Sequence, residues 1–119
     1  MENNKTDLLK KDLNVEELKK KYGKVYEVKA EIEPEGEYET VELVYYFAKP
    51  KAPSFNRYIK TVSQNSMKAT KTFVLDNVVE EQLADIEERF EKYPALCIGI
   101  GEKLLNMLGL PKSTNFKLL

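Results

Sequence analysis

Apolar residues along this chain change period twice, and the changes divide it into three parts. Around residues 15–22, Leu18 and Tyr22 stand four apart among charged residues, the spacing of one helical face. Asn14 in front and Glu17 three residues on make an Asn form of the capping box, and Gly23 supplies the left-handed residue that ends a short helix. From 24 to 32 the period drops to two. Tyr26, Val28, Ala30 and Ile32 alternate with Glu27, Lys29 and Glu31, which predicts a strand with one buried face. The run Glu33-Pro34-Glu35-Gly36-Glu37 holds both turn-forming breakers. A second strand is expected over 38–47 with Val41, Leu43, Tyr45 and Phe47 facing inward; its outer face, with Glu39, Glu42 and Tyr46, keeps no single parity. Two strands joined by a short turn form an antiparallel hairpin, which needs helices to pack against.

After the stiff connector Lys49-Pro50-Lys51-Ala52-Pro53, helical spacing resumes and continues to Gly109. The first stripe is Phe55, Tyr58, Ile59 and Val62. Gln64-Asn65-Ser66 interrupts it, with Ser66 able to cap the next segment, whose stripe is Met67, Thr70, Phe73, Val74 and Val78. The sequence leaves open whether 54–78 is one bent helix or two. A third stripe, Leu83, Ile86, Phe90 and Tyr93, stops at Tyr93-Pro94, and Pro94 suits the first turn of a last helix. That helix, 95–108, is the most apolar part of the chain (Leu96, Cys97, Ile98, Ile100, Leu104, Leu105, Met107, Leu108) and is expected at the centre of the core. Gly109 and Pro111 end it. The expected architecture is therefore α+β: a short N-terminal helix, an antiparallel β-hairpin, then a C-terminal bundle of about four short helices. The chain divides into a flexible segment 1–13, one domain over 14–110 (hairpin 24–47, helical part 53–109) and a tail 111–119. Phe116, Leu118 and Leu119 in that tail could dock on a groove of this chain or another.

The charge pattern adds a second layer. The net charge of the 119 residues is −1, but 24–45 carries two Lys against seven Glu, 46–75 carries five Lys and one Arg with no acid, and 76–93 carries seven acids against two bases. The basic block with Tyr46, Phe47, Phe55, Tyr58 and Phe73 could form a nucleic-acid surface. Its aromatics fall at core spacing, however, which favours neutralisation against the acidic neighbours, so nucleic acid is not the expected partner. The length fits one domain, no apolar run reaches the ~20 residues of a membrane span, and the N-terminal residues lack the apolar stretch of a secretory signal. One cysteine, Cys97, excludes an intrachain disulfide and fits a cytoplasmic setting.

Catalytic chemistry finds few candidates. With no histidine, Ser-His and Cys-His nucleophile pairs and zinc clusters are excluded. Cys97, between Leu96 and Ile98, reads as a small buried apolar residue. Gly99-Ile100-Gly101 lacks the strand, the third glycine and the Lys-Ser/Thr ending of a phosphate loop, and small residues there suit close helix packing instead. The carboxylates of 76–93 alternate with an apolar stripe as a solvated helix face does, and Asp76 with Glu80 finds no further ligands for Mg²⁺. The expectation is a protein without catalytic residues, cofactor or metal.

Four places in this pattern resemble the tail assembly chaperone-like small proteins of tailed bacteriophages and prophages: Tyr45-Tyr46-Phe47-Ala48-Lys49-Pro50, Leu75-Asp76-Asn77-Val78-Val79-Glu80, Tyr93-Pro94 and Gly101-Glu102-Lys103-Leu104-Leu105-Asn106-Met107-Leu108-Gly109. The likeness covers roughly residues 24–110, and the aromatic-x-Arg/Lys-Pro exit from the hairpin is matched by Phe47-Ala48-Lys49-Pro50. The resemblance implies a non-enzymatic protein that keeps a tape-measure or tail-tube protein soluble in the host cytoplasm during virion assembly and then leaves. It transfers no binding residues. From the pattern itself, Tyr46, Phe55, Tyr58 and Phe116, rimmed by Arg57 and Lys60, are the candidate protein-binding surface. Homo-oligomerisation stays open, as do two other roles: a permanent virion subunit in the tail or connector, or a small inhibitor of a host protein working through the acidic 76–93 face.

Overall fold

A computed structural model describes residues 13–34 and 39–119. The expected flexible segment 1–13, apart from Leu13, and most of the 33–37 turn lie outside the described residues. The elements run α1 (Val15–Tyr22), β1 (Tyr26–Ile32), β2 (Val41–Phe47), α2 (Ala52–Val62), α3 (Ser66–Asn77), a 3₁₀ turn (Glu80–Gln82), α4 (Leu83–Lys92) and α5 (Leu96–Met107). This is the α+β arrangement of helix, antiparallel hairpin and four further helices.

Local chemistry sets most of the boundaries. The Asn14 side chain accepts hydrogen bonds from the backbone N–H groups of Glu16 and Glu17 and caps α1, and Gly23 ends it at a φ of 82°. The segment 54–78 is two helices. Asn65, rather than Ser66, is the cap of the second: its extended backbone breaks the helix and its side chain accepts from Lys68 N at 3.0 Å. Both residue types can cap, but Asn65 occupies the last non-helical position. Tyr93 closes α4, and Pro94 lies in the turn ahead of α5 rather than in its first helical residues. Gly109 adopts a φ of 102° after α5, a left-handed conformation that glycine takes without the penalty of a Cβ.

The hairpin pairs Tyr26 with Phe47 through to Ile32 with Val41. On its inner face Val28, Leu43, Tyr45 and Phe47 join Phe73 and Val74 of α3, Ile86 and Phe90 of α4, and Leu96, Cys97, Ile100 and Leu104 of α5 in the main core. The uneven outer face of β2 has a structural reason. Val44 and Tyr46 form a second buried cluster there with Leu18 of α1 and Val79, and Leu13, Tyr22 and Val25 pack around it. β2 is therefore buried on both faces and β1 on one, which explains why the outer residues of β2 keep no polar parity.

The edge of β2 opposite β1 is also covered. Val79 N donates to Tyr46 O at 2.9 Å, Ala48 N donates to Asn77 O at 3.1 Å, and Phe47 and Val78 form an antiparallel bridge. The Gln82 side chain continues this line: its Oε1 accepts from Tyr46 N at 2.8 Å and its Nε2 donates to Val44 O at 3.1 Å. A side-chain amide thus supplies the donor and acceptor that another strand residue would have offered, which satisfies backbone groups no water can reach.

Of the two small residues in α5, Gly101 is the one that permits close approach. A Cβ there would stand 2.8 Å from Thr70 Cγ2 of α3, whereas one at Gly99 would meet nothing within 4 Å. Three residues expected on buried stripes are exposed: Ile59 (51%), Met67 and Ile98 (54%). Helix α2 packs mainly on α3, and Met67 and Ile98 lie in the first turns of α3 and α5. Among the described residues, no helix is long and apolar enough to cross a membrane.

Candidate protein-binding surface

Helix α2 begins with Pro53 in its first turn and no side-chain cap. Its start is held instead by a polar cluster at the end of α3. Asn77 Nδ2 donates to Ser54 Oγ at 3.0 Å and to Phe73 O at 2.7 Å, Ser54 Oγ donates to Asp76 Oδ2 at 3.4 Å, and the Arg57 guanidinium stands 3.3 Å from the same carboxylate oxygen. With Ser54 and Asn77 buried, these bonds fix the angle at which α2 leaves the connector.

The candidate residues separate on this frame. Phe55 and Tyr58 lie half-buried against the main core; the Tyr58 ring sits 5.0 Å from that of Phe73 and 6.4 Å from that of Phe55. Their remaining exposed edges share α2 with Lys60, which is exposed and makes no ion pair among the described residues, and with Ile59. Arg57 is engaged by Asp76. Tyr46 is a correction: at 6% exposure it belongs to the cluster beneath α1, because α1 covers the outer face of β2. Burial, with the Glu27 carboxylate beside the hydroxyl, raises its phenol above the usual value. Phe116 is 99% exposed, in the segment after α5. Phe55, Arg57, Tyr58 and Lys60 thus share one helix, α2, whereas Tyr46 lies on β2 and Phe116 in the segment after α5.

A second feature was not legible in the sequence. Between the start of α3 and the turn joining α4 to α5 lies a groove of about 360 Å³, lined by Asn65, Met67, Lys68, Lys71, Phe90, Pro94 and Cys97. Its lining is apolar beneath two lysines, of which Lys71 stands 3.7 Å from Glu91. The Cys97 thiol is buried and donates to Pro94 O at 3.5 Å, and burial pushes its pKa up, away from the thiolate a nucleophile needs. Arg57–Asp76 and Lys71–Glu91 neutralise two members of the basic block against the acidic block that follows it. Lys49, Lys51, Lys60 and Lys68 make no ion pair among the described residues.

The acidic stretch has structural duties of its own. Asp85 accepts from the Tyr45 hydroxyl at 2.5 Å and stands 3.9 Å from Arg89 Nε. Burial first, and the Asp85 carboxylate second, hold the Tyr45 phenol well above its ordinary pKa. Glu81 accepts from the Tyr22 hydroxyl at 2.9 Å and pairs with Lys21 at 3.3 Å, fastening α1 to the 3₁₀ turn. No group of three or more His, Cys, Asp or Glu side chains that could hold a metal ion occurs among the described residues.

Residues 18–117 match a family described as a domain of unknown function, DUF6848, and the chain belongs to that family. The fold is similar to that of the uncharacterised protein rbstp2171 from Bacillus stearothermophilus: 31% identity, a TM-score of 0.74, and coverage of 87% of this chain and 100% of that one. No curated protein matches.

Proposed function

We propose that the chain is a non-enzymatic, cytoplasmic assembly chaperone of the tailed-phage type, which covers an apolar helical surface on a tape-measure or tail-tube protein until the tail is built. Two things support this reading: the motif resemblance across residues 24–110, and the exposed apolar and basic surface contributed by α2 and α3. The observation that carries it is the placement of Ile59 and Met67. Both are large apolar side chains left exposed on helices, beside Lys60 and Lys68 respectively. Met67 opens onto a groove floored by Phe90, Pro94 and Cys97. Such a surface suits an amphipathic helix whose apolar stripe enters the groove while acidic flanks meet the lysines. A client prone to self-association is kept soluble by a partner that binds its apolar face.

The test is an affinity capture of the tagged protein from phage-producing cells, with mass spectrometry of the eluate and of purified particles. Tape-measure or tube protein in the eluate, with the bait missing from particles, is the expected result. Stoichiometric bait in particles would make it a permanent virion subunit. An eluate holding only host proteins would overturn both roles and favour an inhibitor.

A further inference from the structure

Within the described residues, two features are each half of a contact. The first is the outer edge of β1. β2 has β1 on one side and Val78, Val79 and the Gln82 amide on the other, whereas β1 has no strand on its far side among the described residues. Its inward residues Tyr26, Ala30 and Ile32 are only half-buried, and its outward residues are Glu27, Lys29 and Glu31, with Lys29 drawn 4.0 Å from Glu42 of β2. The edge is therefore apolar on one face and acidic on the other, with unpaired backbone groups between.

The second feature is the tail. After Leu110 N donates to Leu105 O, residues 111–119 make no hydrogen bond among the described residues, and all of their side chains are exposed. Phe116 and Leu118 alternate with Lys117, the period of a strand with one apolar and one basic face. The family match extends to Lys117, so this segment belongs to the family's domain although its side chains are exposed in the single chain.

We propose that residues 114–118 of one protomer add as a strand to the free edge of β1 in a second copy of the chain, and that the exchange is reciprocal. Backbone bonds satisfy the open edge. Phe116 and Leu118 fall on the face of Ala30 and Ile32, and Lys117 falls on the acidic face opposite Glu31. The charges are complementary: the stretch 110–119 carries two lysines and no acid, while the outward face of β1 carries two glutamates whose neighbouring lysine is already paired. Exchange of an identical terminal segment is a low-cost route to a closed dimer. The inference is independent of the chaperone reading, because it concerns only contacts between copies.

The experiment is the molar mass of the full chain by size-exclusion chromatography with light scattering, over a series of micromolar concentrations. The expected mass is twice the 13.8 kDa of one chain. F116D/L118D, which alters only fully exposed positions, is expected to halve that mass with an unchanged far-ultraviolet spectrum. K117E and E31K are each expected to weaken the dimer at least tenfold, and the double variant K117E/E31K to restore it. A monomeric wild type overturns the proposal, whether its tail is free or folded back on its own chain. So does an F116D/L118D variant that stays dimeric, or a double charge reversal no stronger than the singles.

Discussion

Replacing Gln82 by leucine tests the most unusual feature of the sheet. The side chain is 1% exposed, and its amide bonds Tyr46 N and Val44 O at 2.8 and 3.1 Å. Leucine nearly conserves the volume but leaves one buried donor and one buried acceptor without partners. Each such group costs about 1–3 kcal/mol, and the added apolar carbon returns roughly 1 kcal/mol. The net loss is about 1–5 kcal/mol against a total stability on the order of 5–15 kcal/mol. With a urea dependence of about 2 kcal/mol per molar, the unfolding midpoint should fall by roughly 0.5–2.5 M at unchanged slope. Gln82→Glu provides an internal control. An ionised carboxylate can still accept from Tyr46 N but has no proton for Val44 O, so the variant should be least stable at neutral pH. Proton uptake on folding means its stability rises as pH falls. A leucine variant whose midpoint moves by less than about 0.3 M would show that the amide fills space and that its bonds contribute nothing measurable.

The two glycines of α5 should respond in opposite directions. Gly99→Ala, with open space for its Cβ, should gain up to about 1 kcal/mol of helix propensity. Gly101→Ala must push a stiff Thr70 aside and should lose about 1–2 kcal/mol net, recovered when Thr70→Ser removes the methyl group; thermal melts of the single and double variants decide it. Tyr45, whose phenol is raised by burial and Asp85, contributes stability that is complete below the unfolded tyrosine value near 10 and is lost as pH rises above it. Denaturation at alkaline pH should show this loss, and Tyr45→Phe should lessen the alkaline dependence while costing about 1 kcal/mol at neutral pH. Ile59→Asp and Met67→Asp, both at exposed positions, should change stability by no more than about 0.5 kcal/mol yet, on the proposed chaperone function, abolish capture of the proposed tail-protein client; a variant pair that still captures it removes these positions from the proposed binding surface.

Where local chemistry decides, the sequence was easy to read. Asn14, Gly23, Tyr93-Pro94 and Gly109 act through their own backbone or a neighbour's, and the alternation at Tyr26, Val28, Ala30 and Ile32 needs only one covered face. What failed depended on partners distant in the chain. Tyr46 looked available because nothing near it in sequence shows that α1 folds over the outer face of β2. Gln82, a polar residue in an acidic run, shows no sign of its role until Val44 and Tyr46 are brought beside it. Ile59 and Met67 fit a helical stripe, yet the stripe is wider than the surface offered by the neighbouring helices. The groove joins α3 to the α4–α5 turn and has no contiguous signature.

The stitching of Val78, Val79 and Gln82 to β2 also bears on how the molecule comes apart. The hairpin lies near the start of the chain and the stitch lies beyond two helices, so neither half completes its hydrogen bonds alone. Pulling α3 and α4 away would strip β2 of its second edge, and melting the hairpin would orphan Val79 N. The two halves are thereby coupled into one cooperative unit. In hydrogen exchange, the amides of Tyr46, Ala48 and Val79 should exchange only through global unfolding, and they should do so together, although they come from different elements of the fold.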